Sequence, residues 1–254
     1  MADYGQLELR ILAHMTQCVE MIEAFGSGGD FHSRTAVSMF PKIKQEIESG
    51  EVLLEWDSSQ GAPPAPLVKD KYANERKQAK MMNFSIAYGK SAYGLAKDWK
   101  VSLTEAEEVL EAWYRERPEV RSWQEGVKQT AVDKGWTRTL AGRYRNLTRH
   151  FKGHKKMKIL HGLRAAINTP IQGGAADIMV GCMKKIWVDK RLRGFGFRMV
   201  HQVHDEVILE GPEEFAEEAL GILVGLMQDP LEETEFLVEM EVDAKICNNW
   251  YESK

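Results

Sequence analysis

FRMVHQVHDEVILEG, residues 197–211, departs from the helical periodicity of the chain before it. Apolar and polar residues alternate on both sides of His204 and Asp205, which predicts a β-hairpin with these two residues at its turn. The adjacent carboxylates of Asp205 and Glu206 repel each other, and a bound divalent cation would offset that repulsion. Asp205 could equally serve only the turn, where Asp is common. The pattern leaves both interpretations open.

Outward from this hairpin the chain has mainly helical periodicity. Helices are predicted at about 6–25, 31–40 (with Asp30 as its cap), 74–88, 102–117, 118–134, 170–190 and 214–228. One further strand is predicted in 237–247, and Pro170 is expected in the first turn of its helix. The segment 41–70 contains GAPPAP and is predicted as a long loop or insertion. Together these elements predict an α+β fold.

Charge is segregated along the chain, although the net charge is only −4. Residues 134–176 contain ten Lys and Arg and no Asp or Glu, whereas residues 205–254 contain fifteen acidic residues and two lysines. A basic run of that length is typical of a surface that binds a polyanion, and a solvated basic face is the alternative. No apolar run is long enough for a membrane span, so no membrane partner is expected. Three isolated cysteines and the absence of a signal peptide indicate an intracellular, reducing compartment.

Four residues at intervals of four form one stripe on the predicted helix 74–88. The stripe consists of Arg76, Lys80, Phe84 and Tyr88. Two cations followed by two aromatic rings suit a ligand that carries both phosphates and a base. A snorkelling surface face would show the same spacing.

A second set repeats this spacing at Arg164, Asn168 and Gln172. These side-chain types hydrogen-bond to base edges and sugars. This spacing alone is weak evidence for nucleic-acid binding, and Pro170 would interrupt a regular helix that carried all three residues.

Four long motifs in order resemble those of the family A DNA polymerases, the class of bacterial DNA polymerase I. DYGQLELR at 3–10 resembles motif A, RKQAKMMNFSIAYG at 76–89 resembles motif B, and QVHDE at 202–206 resembles motif C. RAAINTPIQGGAADI at 164–178 is similar to the segment of that family that contacts template and primer. The long segment before Arg76 resembles the plant and protist organellar branch, which implies a mitochondrion or plastid.

The resemblance implies a template-directed DNA polymerase that adds deoxynucleotides to a primer 3′-hydroxyl with two Mg²⁺ ions, which Mn²⁺ can replace. Asp3 and Asp205 would bind the metals, Glu206 would support them, and Lys80 would be a proton donor to the leaving group. Glu8 would exclude the ribose 2′-hydroxyl. The incoming dNTP would contact Glu8, Arg76, Lys80, Phe84 and Tyr88. Primer-template DNA would contact Arg10, Arg164, Asn168, Gln172 and His204.

The same resemblance implies a right-hand architecture. It assigns 1–19 and 161–254 to a palm with an antiparallel sheet, and 20–160 to helical fingers with the insertion at about 41–70. Because only Met1 and Ala2 precede Asp3, the thumb, the start of the palm with the strand that supports Asp3, and any exonuclease domain are expected upstream in a longer chain. Such a truncated chain is expected to contain the catalytic residues but not all of the structure that holds them in place.

Rival functions remain open from the sequence. A single-subunit RNA polymerase or reverse transcriptase would share the metal site, and Glu8 argues against the RNA polymerase. A non-catalytic DNA-binding fragment would share the basic surface, and the retained carboxylates argue against it. His150 and His154 have the spacing of metal ligands on a helix, but phosphate contact or solvation is favoured because no Cys or acidic partner lies nearby.

Overall fold

The computed structural model describes residues 1–27, 30–56, 60–152, 156–232 and 234–253. The helices within these ranges are α1 (Leu7–Thr16), α2 (Val19–Gly26), α3 (Phe31–Met39), α4 (Pro41–Glu48), α5 (Val68–Lys71), α6 (Ala73–Ala87), α7 (Ala92–Trp99), α8 (Leu103–Glu116), α9 (Pro118–Lys134), α10 (Thr148–Phe151), α11 (Lys156–Val188), α12 (Lys190–Gly194) and α13 (Ala216–Gln228). The strands are β1 (Ala2–Tyr4), β2 (Trp136–Arg138), β3 (Tyr144–Asn146), β4 (Arg198–Val203), β5 (Glu206–Glu210) and β6 (Val242–Ala244). Short 3₁₀ turns cover Glu213–Phe215 and Trp250–Ser253.

These elements confirm the α+β fold class. The main sheet is antiparallel, with strand order β4-β5-β1-β6, and β2 pairs with β3 in a separate hairpin. The long helix α11 packs against α1 and α9, and α13 packs against α11 and the sheet edge at β6. None of the described helices, α11 included, is both long and apolar enough to cross a membrane.

The hairpin prediction is confirmed. Strands β4 and β5 pair in antiparallel register up to Val203 and Glu206, with His204 and Asp205 between them. His204 has a φ of 51°, in the left-handed region that a tight turn requires. The amide of Gln202 donates to the His204 carbonyl at 2.7 Å and holds the turn closed.

The strand beneath Asp3 is present, which corrects the expectation that Asp3 lacks its support. Residues Ala2–Tyr4 form β1, between β5 and β6. Ala2 and Tyr4 are buried and the Tyr4 hydroxyl donates to the Met227 carbonyl of α13 at 2.6 Å. Because side chains alternate along a strand, Asp3 points to the opposite face of the sheet.

The predicted helix 6–25 is two helices. α1 ends at Thr16 because Gln17 adopts a left-handed backbone with φ 53°, and Cys18 is extended before α2 begins. The Thr16 hydroxyl also donates to the Leu12 carbonyl, an alternative to regular helix bonding. The apolar residues keep a helical spacing across this break because both helices pack against the same core, so the spacing alone predicts one helix.

The predicted helix start at Pro170 is wrong, because α11 runs through Pro170 from Lys156 to Val188. A proline inside a helix has no N–H for the carbonyl four residues earlier. Here that carbonyl belongs to Ala166, and the hydroxyl of buried Thr137 donates to it at 3.2 Å. The β2 strand therefore supplies the hydrogen bond that Pro170 cannot make.

The predicted loop at 41–70 is also partly wrong. Pro41–Glu48 forms α4, begun by its proline, and Ile43 packs with Val52, Val68 and Tyr72 in a small second core. Residues 57–59 of this segment lie outside the described ranges. The strand predicted in 237–247 is shorter, since only Val242–Ala244 pairs regularly with β1.

The remaining helix predictions are confirmed within one or two residues. Asp30 caps α3 by accepting hydrogen bonds from the backbone N–H groups of His32 and Ser33. Ser102 caps α8 in the same way through the Glu105 N–H. In both cases a short-range side-chain contact satisfies the first turn.

Candidate nucleotide-transfer site

The sheet brings the predicted carboxylates together. Asp3 on β1 is the register partner of Glu206 on β5, so their side chains leave the same face of the sheet. The Tyr4 backbone N–H donates to the Asp205 carbonyl at 3.2 Å, which places the hairpin turn beside β1. Residues 202 positions apart in sequence thus meet at one end of the sheet, as the resemblance implied.

The donor set at this end is oxygen, which suits a hard cation such as Mg²⁺. Within the described ranges, no three His, Cys, Asp or Glu side chains converge as a ready-made metal cage. Mg²⁺ usually takes one or two carboxylates and completes its shell with waters and substrate phosphates. Asp3 and Asp205 fit that mode of binding. Glu206 is buried, and the Trp250 indole N–H donates to it at 2.8 Å.

The predicted four-residue stripe, three residues of α6 and its C-cap Tyr88, lines a cavity of about 1140 Å³. Arg76, Lys80, Phe84 and Tyr88 all contribute to its wall, and α11 supplies the opposite wall. The rings of Phe84 and Tyr88 lie 6.1 Å apart between centroids. The four residues therefore lie on one face, as predicted, and that face is a cavity wall with cations at one end and aromatic rings at the other.

Arg76 already has a partner in this cavity. Its guanidinium forms an ion pair with Asp30, with one of the two hydrogen bonds at 3.1 Å. Burial alone would raise the pKa of Asp30, but hydrogen bonds from Arg76 and Ser33 outweigh burial and lower that pKa. A phosphate ligand would have to compete with the Asp30 carboxylate for Arg76. Lys80 is exposed and lines the same wall.

Glu8 links the cavity to the carboxylates. Tyr88 donates its phenolic hydrogen to the Glu8 carboxylate. Burial raises the pKa of Glu8, the Tyr88 hydrogen bond lowers it, and the negative charge of Asp205 raises it further. Burial and the Glu8 carboxylate also raise the pKa of Tyr88, so the phenol remains a donor.

The second stripe, Arg164, Asn168 and Gln172, lies on α11 and faces the same cavity. Because α11 continues through Pro170, the interval of four does place these side chains on one helix face. Asn168 Oδ1 is buried without a hydrogen-bond partner among the described residues, which leaves it able to accept from a ligand. His204 is exposed at the hairpin turn and lies outside this cavity lining.

Arg10 is not part of the cavity lining, and its contact with DNA stays a prediction. Arg10 is only 3% exposed, and its guanidinium forms an ion pair with Glu241 and donates to the carbonyls of Gly5 and Glu239. The same group stacks over the Phe25 ring at 4.6 Å. Arg10 therefore fastens α1 to the chain that leads into β6, and its polar atoms are occupied within the protein.

Two contributors to the site were missed by sequence reasoning. Arg145 of β3 lines the cavity and donates to Thr169 Oγ1 of α11 at 2.9 Å. It belongs to the basic run, but nothing in the local spacing separates it from the neighbouring arginines. Asp30 was assigned only as a cap, although it also pairs with Arg76.

A buried polar network supports α6 from behind. The side chain of Asn83 contacts His32 Nδ1 at 3.1 Å and Thr35 Oγ1 at 3.0 Å, and accepts from the Trp113 indole at 2.8 Å. Burial lowers the pKa of His32 to about 4; the Asp30 charge opposes that shift, and the Arg76 and Lys80 charges add to it. The stripe is thus carried by a helix whose rear face is fixed by hydrogen bonds to α3 and α8.

The basic run 134–164 is distributed over the end of α9, the β2–β3 hairpin, α10 and the start of α11. Among the described Lys and Arg residues of this run, Arg145 and Arg164 line the cavity. His154 lies outside the described residues, so its arrangement with His150 is not described. The ring of His150 stacks on the ring of His161, with 5.0 Å between centroids.

Comparisons with known proteins agree with this geometry. DNA polymerase I B, chloroplastic/mitochondrial, of Arabidopsis thaliana is 53% identical over 256 residues, covering 100% of this chain and 24% of the relative. DNA polymerase I of Geobacillus stearothermophilus is 35% identical over 257 residues, covering 100% of this chain and 26% of the relative. The chain thus spans about a quarter of the length of the curated relatives it matches.

A solved structure gives the same result for the fold. The POL domain of Pol1 from M. smegmatis, in complex with DNA primer-template and dNTP, matches with a TM-score of 0.78 and 31% identity. The match covers 95% of this chain and 38% of that one. The family model for DNA polymerase family A matches residues 1–51 and 65–252, so the unmatched stretch is narrower than the predicted insertion. The chain belongs to DNA polymerase family A.

Proposed function

We propose that this chain carries the nucleotidyl-transfer site of a template-directed DNA polymerase, which joins a deoxynucleotide to a primer 3′-hydroxyl and releases pyrophosphate. One observation carries the proposal. The register of β1 and β5 puts Asp3, Asp205 and Glu206 at one end of the sheet, and Glu8 links that end to the cavity through Tyr88. The proposed metal-binding carboxylates and the cavity for the nucleotide would therefore form one site.

Asp3 and Asp205 would hold the divalent ions, with Glu206 in support. Bound Mg²⁺, or Mn²⁺ in its place, would activate the primer hydroxyl and stabilise charge on the phosphates. Family A polymerases in general depend on a divalent metal, and the oxygen donors here suit that requirement. The choice of Mg²⁺ for this chain is part of the proposal.

The cavity would bind the incoming nucleotide. Arg76 and Lys80 would grip the triphosphate, and Lys80 would donate a proton to the departing pyrophosphate. Phe84 and Tyr88 would pack on the nascent base pair. Glu8 would lie below the sugar and exclude a 2′-hydroxyl, which favours a DNA polymerase over an RNA polymerase.

Primer-template DNA would lie along the α11 wall. Arg164, Asn168 and Gln172 would contact it, with His204 at the hairpin turn nearby. The basic run would track phosphates without reading sequence. We also propose the division into palm (1–19 and 161–254) and fingers (20–160), and an organellar location, which the chloroplast and mitochondrial names of the plant relatives support.

The test is primer extension with dNTPs and Mg²⁺ by the 254-residue chain and by its Asp205→Ala variant. Extension is expected to be lost in the variant, while circular dichroism shows an unchanged fold. Asp133→Ala, which removes an exposed carboxylate on α9, is the matched control and should extend normally. Undiminished extension by Asp205→Ala would contradict the metal assignment. Tight primer-template binding by the unchanged chain without extension would favour the non-catalytic alternative.

A further inference from the structure

We propose that Trp250 is a positioning residue for Glu206, holding its carboxylate in the orientation that the metal-binding end of the sheet requires. The inference rests on the proposed function, because it adds a residue to that same site. Trp250 Nε1 donates to Glu206 Oε1 at 2.8 Å, and Glu206 is only 5% exposed. The two residues are 44 positions apart, so the contact depends on the route of the C-terminal segment.

The segment that carries Trp250 is a capped turn. The Asn249 side-chain oxygen accepts from the Glu252 backbone N–H at 3.1 Å. The Glu252 carboxylate returns to accept from the Asn248 backbone N–H at 3.2 Å and from the Asn249 amide at 2.6 Å. These reciprocal bonds resemble a capping box, in which two side chains satisfy the first turn together. The indole is therefore presented by a defined backbone.

The route of the chain places this turn on the carboxylate face of the sheet. Lys245 and Met1 exchange backbone hydrogen bonds, both 2.9 Å, which continue the pairing of β6 with β1. Beyond them the chain reaches β5 and β4, where the Trp250 ring meets Glu206 and stands edge-on to His201 at 5.2 Å and 80°. The turn thus connects the β6 edge to the strands on the other side of β1.

The chemistry of the pair suits positioning. An indole N–H can only donate, so it selects a carboxylate oxygen and fixes its direction. Side chains that hydrogen-bond to metal-binding carboxylates in this way typically change metal affinity or activity when they are removed. The edge-on His201 ring holds the indole laterally, so the N–H keeps its direction toward Glu206.

The test measures Mn²⁺ binding to the full 254-residue chain by electron paramagnetic resonance, which needs no turnover. Trp250→Phe keeps an aromatic ring but removes the N–H donor, and is expected to weaken Mn²⁺ binding by about 10-fold. Tyr251→Phe is the matched control, because it removes a polar group from the neighbouring aromatic side chain, which is 91% exposed. Its Mn²⁺ affinity should equal that of the unchanged chain.

Two further variants separate positioning from simple packing. In a Glu206→Ala background, Trp250→Phe should have no additional effect, since the oxygen that it serves is gone. Asn249→Ala keeps the indole but removes the cap, and should weaken Mn²⁺ binding in the same direction even if Trp250→Phe folds poorly. Equal Mn²⁺ affinity of Trp250→Phe and the unchanged chain would overturn this inference alone. Absence of Mn²⁺ binding to the unchanged chain would overturn it together with the proposed metal site.

Discussion

The phenol of Tyr88 donates a hydrogen bond to the carboxylate of Glu8, and this contact joins the end of α6 to the first turn of α1. The proposed stacking residue and the proposed sugar-excluding residue therefore form one unit. Since the charge of Asp205 also raises the pKa of Glu8, the unit reaches from the cavity to the proposed metal-binding end. Substitution of Tyr88 or Glu8 should therefore change the choice between ribose and deoxyribose more than it changes the stability of the fold.

Glu8→Ala is expected to raise the use of ribonucleotides relative to deoxynucleotides by about 10- to 100-fold, the range by which a pocket rejects one added group. Removing the side chain opens space where the 2′-hydroxyl would lie. The measurement is single-nucleotide incorporation with rNTP and dNTP by each variant. Glu107→Ala, an exposed glutamate on α8, is the control. An unchanged rNTP to dNTP ratio would show that Glu8 does not set sugar choice.

Thr137→Val is expected to destabilise the chain by about 1–2 kcal/mol, because the Ala166 carbonyl would lose its donor in a buried site. Adding Pro170→Ala to that variant should recover part of the loss, since the new backbone N–H can donate to the same carbonyl. Urea unfolding measures both free energies. Thr104→Val, at an exposed position, should change the free energy of unfolding by under about 0.5 kcal/mol. No recovery in the double variant would contradict the compensation.

Acid is expected to destabilise the chain partly through His32. Burial first, and then the Arg76 and Lys80 charges, lower the pKa of His32 to about 4 against the opposing Asp30 charge. The Asn83 amide can donate to Nδ1 only while that nitrogen carries no proton. Between about pH 6.5 and 4 the unfolded chain therefore binds a proton that the folded chain excludes, and stability is lost as the pH falls through this window.

The size of this effect approaches about 1.4 kcal/mol per pH unit for one proton. Urea unfolding at pH 7, 6 and 5 should show a shallower loss of stability in His32→Gln than in the unchanged chain. His161→Gln, at an exposed imidazole, should keep the original slope. Equal pH dependence of the free energy of unfolding in all three chains would mean that His32 binds its proton as readily in the folded chain as in the unfolded chain.

Sequence patterns were reliable where the cause is local. The hairpin turn at His204, the Asp30 and Ser102 caps and the α6 stripe all depend on residues a few positions apart, and each is confirmed. The ion pair of Arg10 with Glu241 could not be predicted, because the two residues lie 231 positions apart and no local pattern encodes their pairing.

The helix start predicted at Pro170 is wrong because its cause is also a contact between residues far apart in the sequence. Proline normally ends a helix, but in α11 a hydroxyl 29 positions away on another element donates to the carbonyl that Pro170 leaves without its helical N–H. The register of Asp3 with Glu206 is equally long-range. The resemblance of whole motifs implies only that Asp3 and Asp205 meet on one sheet, because residue spacing gives no information on which strands become neighbours.

Binding of primer-template DNA is expected to depend on salt through the arginines that line the cavity. Each phosphate contact contributes about 0.9 to the slope of log K against log salt. Arg145→Ala and Arg164→Ala should each make that slope shallower by about 1, because each removes one cation from the cavity wall. Fluorescence anisotropy with labelled primer-template across a KCl series gives the slopes. Lys42→Ala removes an exposed cation on α4 and should leave the slope unchanged, whereas an equal change there would assign the effect to net charge.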